Sequence, residues 1–384
     1  MRVDWAGNLT FALGLILIMV SITYGIRPWG GHATGWTSPR VIVLLGAGLT
    51  SLVAFVRIEG WVQSPMFPLR LLRIRAFTFG TISTFLSAVA RGGLMFVLII
   101  WLQGIWLPLH GYDFAKTPLY AGIYILPLTL GMLLAGPASG YLSDRFGARA
   151  FATGGMLGAA ASFALLWLLP TDFSYHVFAL VLAMMGISMG LFTAPNKAAV
   201  MNSLPSGDRG SGGGMNQTFQ NSAQVLSVGV FFSLMVAGLA STLPHTLASG
   251  LQAQGLGPAT ARYVAHVPPV SILFAAFLGY NPIRHLAGSH VLSSVSAHAQ
   301  ATLTGREFFP RLISAPFRDG LHAAFAFAVL ACLVAAVASA MRGGKYHDGE
   351  LASVQGGSAR ALSDLTTAPG QPAAARAMSA SQGG

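Results

Sequence analysis

Apolar residues recur along the first 341 positions in runs long enough to cross a bilayer, and polar residues gather in the intervals between them. A helix rising 1.5 Å per residue needs about 20 apolar residues to span the hydrocarbon. Eight runs approach or meet that length, at 9–26, 40–56, 78–107, 118–141, 151–169, 177–200, 217–241 and 321–341. Each predicts a transmembrane helix, so the expected fold class is all-α integral membrane with eight spans. A turn rich in Gly, Pro and Trp (Pro28 to Trp36) joins the first two runs. A basic linker from Arg57 to Arg75, interrupted by Pro65 and Pro68, leads to the third. Its Leu69–Arg75 portion is expected to lie along the membrane surface, with arginines meeting anionic lipid.

The interval 242–320 reads as one long loop. It contains Val270–Tyr280, which is apolar but too short to span, and an interfacial or re-entrant segment is expected there. Residues 344–384 are rich in Ala, Gly, Ser and Pro without periodicity and are expected to be disordered. The domain reading is therefore two helices in 1–64, six in 65–343 and a tail in 344–384.

Composition agrees. Hydrophobic residues make up 54% of the chain and charged residues 9%, where a soluble domain carries about 25% charged residues. The formal charge of +11 invites a nucleic-acid reading. That reading needs a basic patch on a soluble face, and the bases fall in the intervals between spans instead. Arg2, Arg57, Arg70, Arg73, Arg75, Arg145, Arg149, Lys197 and Arg209 lie on one side; Arg27, Arg40 and Lys116 lie on the other. This bias predicts cytoplasmic termini, and no nucleic-acid partner is expected. Cys332 is the only cysteine, so neither an internal disulfide nor a cysteine metal cluster can form. No metal site or cofactor is expected. The first run has no small-residue cleavage site and reads as a membrane helix.

Four groups carry candidate chemistry. The first is the charged interval Gly140–Arg149. Gly140 and Gly147 allow tight backbone geometry, while Asp144 can pair with Arg145 or Arg149. A contact of that kind can form in one conformation and break in another, as a gate requires. An ordinary inner loop needs bases but neither the acid nor the paired glycines. The second is Arg91, the charged residue set deep in a span beside Gly92 and Gly93. Burial in lipid costs it about 2.5–3.5 kcal/mol on insertion scales, so it should face protein or water. Two readings stay open: it holds an anionic substrate in a central cavity, or it bonds carbonyls of a neighbouring helix.

The third group is an amide stripe in the seventh span. Gln217, Gln220, Asn221 and Gln224 recur at i, i+3, i+4 and i+7, and Ser227 extends them. Neutral amides suit a substrate cavity; interhelical bonding is the structural alternative. The fourth is Pro195 with Asn196 near the end of the sixth span. Pro195 should kink or end the helix as a hinge, with Asn196 satisfying the freed backbone groups. Gly207–Gly214 resembles a phosphate loop only in composition and lacks its Lys-Ser/Thr ending, so nucleotide binding is rejected.

The interval Gly140–Arg149 resembles the cytoplasmic signature of the major facilitator superfamily, Gly-x-x-x-Asp-Arg-x-Gly followed by bases, with Ala148 where many members place a base. Trp101-Leu-Gln-Gly104, Ala121 to Pro127, Gly190 to Asn196, Met201-Asn202 and Arg209-Gly210 are similar to the fourteen-helix drug:proton antiporters of that superfamily. The resemblance implies two linker helices followed by the C-terminal six-helix bundle, with a first bundle lying outside this sequence. It implies a proton-coupled exporter of drugs or other amphipathic small molecules in the cell membrane. Its implied partners are the lipid bilayer, a small-molecule substrate, protons in the full-length form and an N-terminal half-transporter.

Proton coupling needs an acid inside the membrane. Asp4, Glu59, Asp113, Asp144, Asp172, Asp208, Glu307 and Asp319 are expected at helix ends or in loops, and Asp348, Glu350 and Asp364 fall in the tail. The resemblance implies that the coupling acids belong to the first bundle. A transport-inactive or half-transporter form is the alternative. A membrane-embedded enzyme is not expected, because no cluster of acids, histidines or metal ligands marks one membrane face.

Overall fold

A computed structural model describes residues 4–32, 34–62, 65 and 67–342, apart from the side chains of Asp144, Ser289 and His290. The tail 344–384 lies outside the described residues. The described residues are helical apart from turns and one isolated bridge between Trp29 and His32. The helices are α1 (Trp5–Ile26), α2 (Pro39–Glu59), α3 (Arg75–Trp101), α4 (Thr117–Phe146), α5 (Ala148–Leu168), α6 (Tyr175–Asn202) and α7 (Arg209–Ala253). Five short helices follow: α8 (Pro258–Ala265), α9 (Pro269–Leu278), α10 (Ile283–Ala287), α11 (Ser289–Ser293) and α12 (Ala297–Thr304). The last is α13 (Phe308–Ala340). A π turn at Leu102–Trp106 carries α3 on to Leu109.

Among the described residues, eight helices are long and apolar enough to cross a membrane. Their order is the order of the eight apolar runs. Two of the runs need correction. The run 217–241 is the middle of α7, 45 residues long, and the run 321–341 is the later part of α13, 33 residues long. The added turns are amphipathic. Leu243, Leu247 and Leu251 are fully buried at four-residue spacing, and Phe309, Ile313 and Phe317 repeat the pattern in α13. Polar residues on the opposite faces lower the average hydropathy without breaking the helix. The presumed loop 242–320 therefore shrinks to 254–307, which carries the five short helices.

Helix α9 occupies the short apolar segment and is bent by 81° from α8. It buries Ile272, Leu273, Ala275 and Ala276. Gly104 in the π turn makes this seat possible, since a Cβ there would fall 2.8 Å from the Ala276 carbonyl oxygen. Residues Leu69–Arg73 form a 3-10 turn fastened to the protein. Leu71 is buried with Phe55, Phe67, Phe77, Val200 and Leu204, Arg70 pairs with Asp208 at 2.6 Å, and Arg75 donates to the Met341 carbonyl. Two of the arginines expected to face lipid are thus engaged by protein.

Helices pack where side chains are absent. The Cβ positions of Gly14 in α1 and Gly48 in α2 face each other's carbonyl oxygens at 3.2 and 3.0 Å. Helix α1 also touches α7, with Ile22 over Gly229. Helix α3 meets α7 where Gly92 and Gly93 face Ser227 and Phe231; α7 crosses α13 at Gly238 and Gly320; α6 meets α4 at Gly186 and Gly190. Small residues matter because lipid tails are as apolar as leucine, so helix association depends on close van der Waals contact.

At the end opposite the basic intervals, Trp101 and Trp106 donate to the carbonyls of Thr171 and Phe173 at 3.0 and 2.9 Å. Their rings pack on Phe173, which stacks on Phe178 at 4.2 Å between centroids.

The tightest approach gives a direct test. A Cβ at Gly186 would lie 2.0 Å from the Leu128 carbonyl oxygen, a backbone atom that cannot rotate away. Gly186→Ala is expected to destabilise the protein by about 1–3 kcal/mol, the usual cost of overpacking. Gly122→Ala meets nothing within 4 Å and is expected to leave stability unchanged or slightly raised. Thermal unfolding of both variants in lipid nanodiscs checks the difference.

Candidate functional site

The charged interval between α4 and α5 is almost wholly helical. Gly140 lies within α4, and Gly147 alone separates the two helices. Its φ of 95° and ψ of 134° suit glycine, and its N–H donates to the Ser143 carbonyl at 2.8 Å. Gly147 therefore provides the tight geometry; Gly140 has ordinary helical surroundings, with open space at its Cβ position. Asp144 sits in the last turn of α4, and its side chain lies outside the described residues. Arg145 and Arg149 are exposed. Arg145 lies 5.7 Å from the centre of the Phe146 ring. Among the described residues neither arginine has an ion-pair partner.

A polar cavity lies between α3, α6 and α7, with an accessible volume of about 30 Å³. Its lining includes Thr84, Ser87 and Arg91 from α3, Thr193, Asn196 and Lys197 from α6, and Asn216 and Gln220 from α7. The α3 residues recur at i, i+3 and i+7, one face of a helix. Arg91 is half-buried, Lys197 is exposed, and among the described residues neither forms an ion pair. Asn216 is 7% exposed, and its side-chain oxygen has no hydrogen-bond partner among the described residues.

Asn196 does not satisfy the backbone freed by Pro195, as its position suggested. It reaches across to α3, donating to Thr84 Oγ1 at 2.7 Å and to the Gly80 carbonyl at 3.3 Å. Its oxygen accepts from Arg342 Nη2. Pro195 lies inside α6, which continues for seven residues beyond it, so the proline does not end the helix. Arg342 stands two residues past the end of α13 and is 6% exposed. Burial pushes its guanidinium down to about 10. The cost of keeping it charged is thus present in full at neutral pH and is relieved as pH rises through that value.

The amide stripe divides between two cavities. Gln220 lines the polar one. Asn221 and Gln224 line a second cavity of about 780 Å³, walled by Met19, Ile22 and Ile26 of α1, Phe96 of α3, Phe232 of α7 and Phe274 of α9. Gln217 is exposed and donates to Asn221 Oδ1 at 2.9 Å. Ser227 bonds between helices instead: it accepts from the Gly93 N–H at 2.8 Å and donates to the Val89 carbonyl.

Three residues escaped the sequence reading. Asn216 stands four residues before Gln220, so the helical period could have found it. Arg342 stands one residue beyond the eighth apolar run, and nothing in the sequence places it inside. Asp319, expected in a loop, lies inside α13 and accepts from Thr242 Oγ1 on α7 at 2.9 Å. The early start of α13 is the cause.

The Major Facilitator Superfamily matches residues 1–228. The chain is 31% identical over 211 residues to the uncharacterized MFS-type transporter YhcA of Bacillus subtilis (strain 168), covering 54% of this chain and 38% of that protein. It is 26% identical over 254 residues to the tetracenomycin C resistance and export protein of Streptomyces glaucescens, covering 64% and 46%. With the multidrug transporter protein MdtP of Bacillus subtilis (strain 168) it shares 24% identity over 338 residues, covering 87% and 57%. Its matches thus span 38% to 57% of the length of these relatives.

Removing the Asn196 side chain takes from the buried Arg342 guanidinium its bond to Asn196, while Thr84 keeps its own bond to the Gly80 carbonyl. Asn196→Ala is expected to cost about 2–3 kcal/mol, in the range for a buried polar group that loses its partner. Asn196→Asp keeps an acceptor for Arg342 and is expected to recover part of that loss. Thermal unfolding of the two variants beside wild type measures the ordering.

Proposed function

The chain belongs to the Major Facilitator Superfamily, and from that premise we propose that it forms the linker helices and C-terminal bundle of a proton-driven multidrug exporter. In this reading α1 and α2 are the linker pair, and α3 to α7 with α13 are the bundle. The basic intervals and both termini face the cytoplasm, as the charge bias favours. The observation that carries the reading is the cavity of about 780 Å³ under α1, whose aromatic and aliphatic walls carry only a few polar groups, Asn221, Gln224, Thr23 and Arg27 among them. Its size and mixed lining suit an amphipathic, drug-sized compound. The names of several relatives, among them a multidrug transporter and methyl viologen and tetracenomycin C resistance proteins, support the substrate class.

Asp144, Arg145 and Arg149, turned by Gly147, form the inner gate in this scheme, with Gly140 giving the end of α4 a smooth face. The kink expected at Pro195 lets the inner end of α6 flex, while Asn196 keeps it attached to α3. Arg91, Gln220, Asn221 and Gln224 supply cavity wall, and Gln217 orients Asn221. Proton coupling draws on acids of a first six-helix half, because Asp319 sits near the end opposite the basic intervals, engaged by Thr242. Transport accordingly depends on that half, a dependence favoured by the share of the relatives' length that the chain matches.

The test uses proteoliposomes containing this chain alone or together with a first six-helix half from a related exporter. Ethidium movement driven by a pH difference is expected only when both are present. Uphill movement by this chain alone would show that it carries its own proton relay and would overturn the dependence. Failure of the pair to move ethidium, methyl viologen or tetracenomycin C would count against the exporter reading.

A further inference from the structure

We propose that the polar cavity between α3, α6 and α7 is a carboxylate-binding subsite, so that the compounds handled by this protein include amphipathic organic acids. The proposal rests on the exporter reading for its biological setting; the cavity's own chemistry points to the ligand. Arg91 and Lys197 line it, and Arg342 stands behind Asn196 on its wall. Among the described residues no acidic side chain lines the cavity. A charge within a bilayer is costly until an opposite charge or water compensates it, and the half-buried Arg91 has no ion-pair partner among the described residues. An entering anion meets that need.

The donor set is specific for a planar anion. A guanidinium presents paired N–H groups that match the two oxygens of a carboxylate, while an ammonium adds a point charge. Asn216 is the independent sign. It is more than nine-tenths buried, lines this cavity, and leaves its side-chain oxygen without a partner among the described residues. Turning the amide over places its NH₂ in that position, since the two orientations of an Asn amide are nearly isosteric. Gln220 adds a second amide from the same helix face.

Size and surroundings narrow the ligand further. About 30 Å³ admits a headgroup and not a whole drug. An adjoining cleft of about 440 Å³ shares Thr193 and Lys197 and is otherwise lined by Met132, Gly136, Gly190, Ala194 and Ala198. A carboxylate in the polar cavity can therefore extend an apolar body into this cleft, passing Lys197. A cation of the same shape would face Arg91 and Lys197 with no acid to receive it.

Binding of naphthalene-2-carboxylate, naphthalene-2-carboxamide and 2-naphthylmethylammonium to the full chain in nanodiscs of neutral lipid, followed by equilibrium dialysis, tests the proposal. The carboxylate is expected to bind at least tenfold more tightly than the other two. Arg91→Gln is expected to remove that preference, Arg91→Lys to retain part of it, Lys197→Gln to weaken it severalfold, and Arg284→Gln at the far end to leave it intact. Equal binding of carboxylate and carboxamide overturns the proposal. So does an undiminished preference in a folded Arg91→Gln variant. If Arg91→Gln does not fold, unchanged binding in both Arg91→Lys and Lys197→Gln overturns it instead. The exporter reading is judged separately by ethidium movement: export without carboxylate binding removes only the subsite, and carboxylate binding without export leaves the subsite standing.

Discussion

Inside a bilayer an apolar side chain gains nothing by leaving lipid for another apolar side chain, so this fold depends on how closely its backbones can approach. Glycines sit at nearly every major helix crossing. Gly186 approaches the carbonyl of Leu128, Gly93 approaches the ring of Phe231, and Gly238 approaches the backbone at Gly320. Each contact trades a side chain for dispersion between a main chain and its close neighbour. The same crossings bring N–H and hydroxyl groups within bonding range, as where Gly93 donates to Ser227. Close packing and polar pairing are thus two results of the same missing side chains.

That economy sets where polarity is tolerated. Most buried hydroxyls bond carbonyls of their own helix one turn away, as Thr84 does with Gly80. Others reach across to a neighbouring helix, as Ser21 does to the Val41 carbonyl and Ser139 to that of Gly190, and among the described residues the Asn216 side-chain oxygen, between α3, α6 and α7, has no partner. The cavity between those three helices is lined mainly by amides, hydroxyls and two cations. The larger apolar cavity beneath α1 shows the opposite balance, with aromatic walls and a sparse amide edge.

The eight spans were legible because length and apolar character alone determine them, and both boundaries of six of them fall within five residues of the membrane-spanning helices. Helices α7 and α13 were underestimated for a physical reason. Their added turns bury leucine and phenylalanine on one face while showing Ser, Thr, Arg and Asp on the other, and a hydropathy average registers only the mixture. The amide stripe was legible as one helix face. Its division between two cavities was not, because that depends on where α1 and α3 come to rest. The partnership of Arg342 with Asn196 joins residues 146 positions apart, and no local pattern announces it. The expected backbone role of Asn196 failed for the same reason: proximity in sequence to Pro195 said nothing of proximity in space to Thr84.

The clamp made by Trp101 and Trp106 has a mechanical consequence. Their indole N–H groups hold the carbonyls that lead into α6 at one end of the bundle, while Asn196 fastens α6 to Thr84 and Gly80 at the other. A rod pinned near both ends to its neighbour can neither slide along it nor roll about its own axis. Helices α3 and α6 are therefore tied at two levels, and a rearrangement that parts them has to break one of these sets of bonds first.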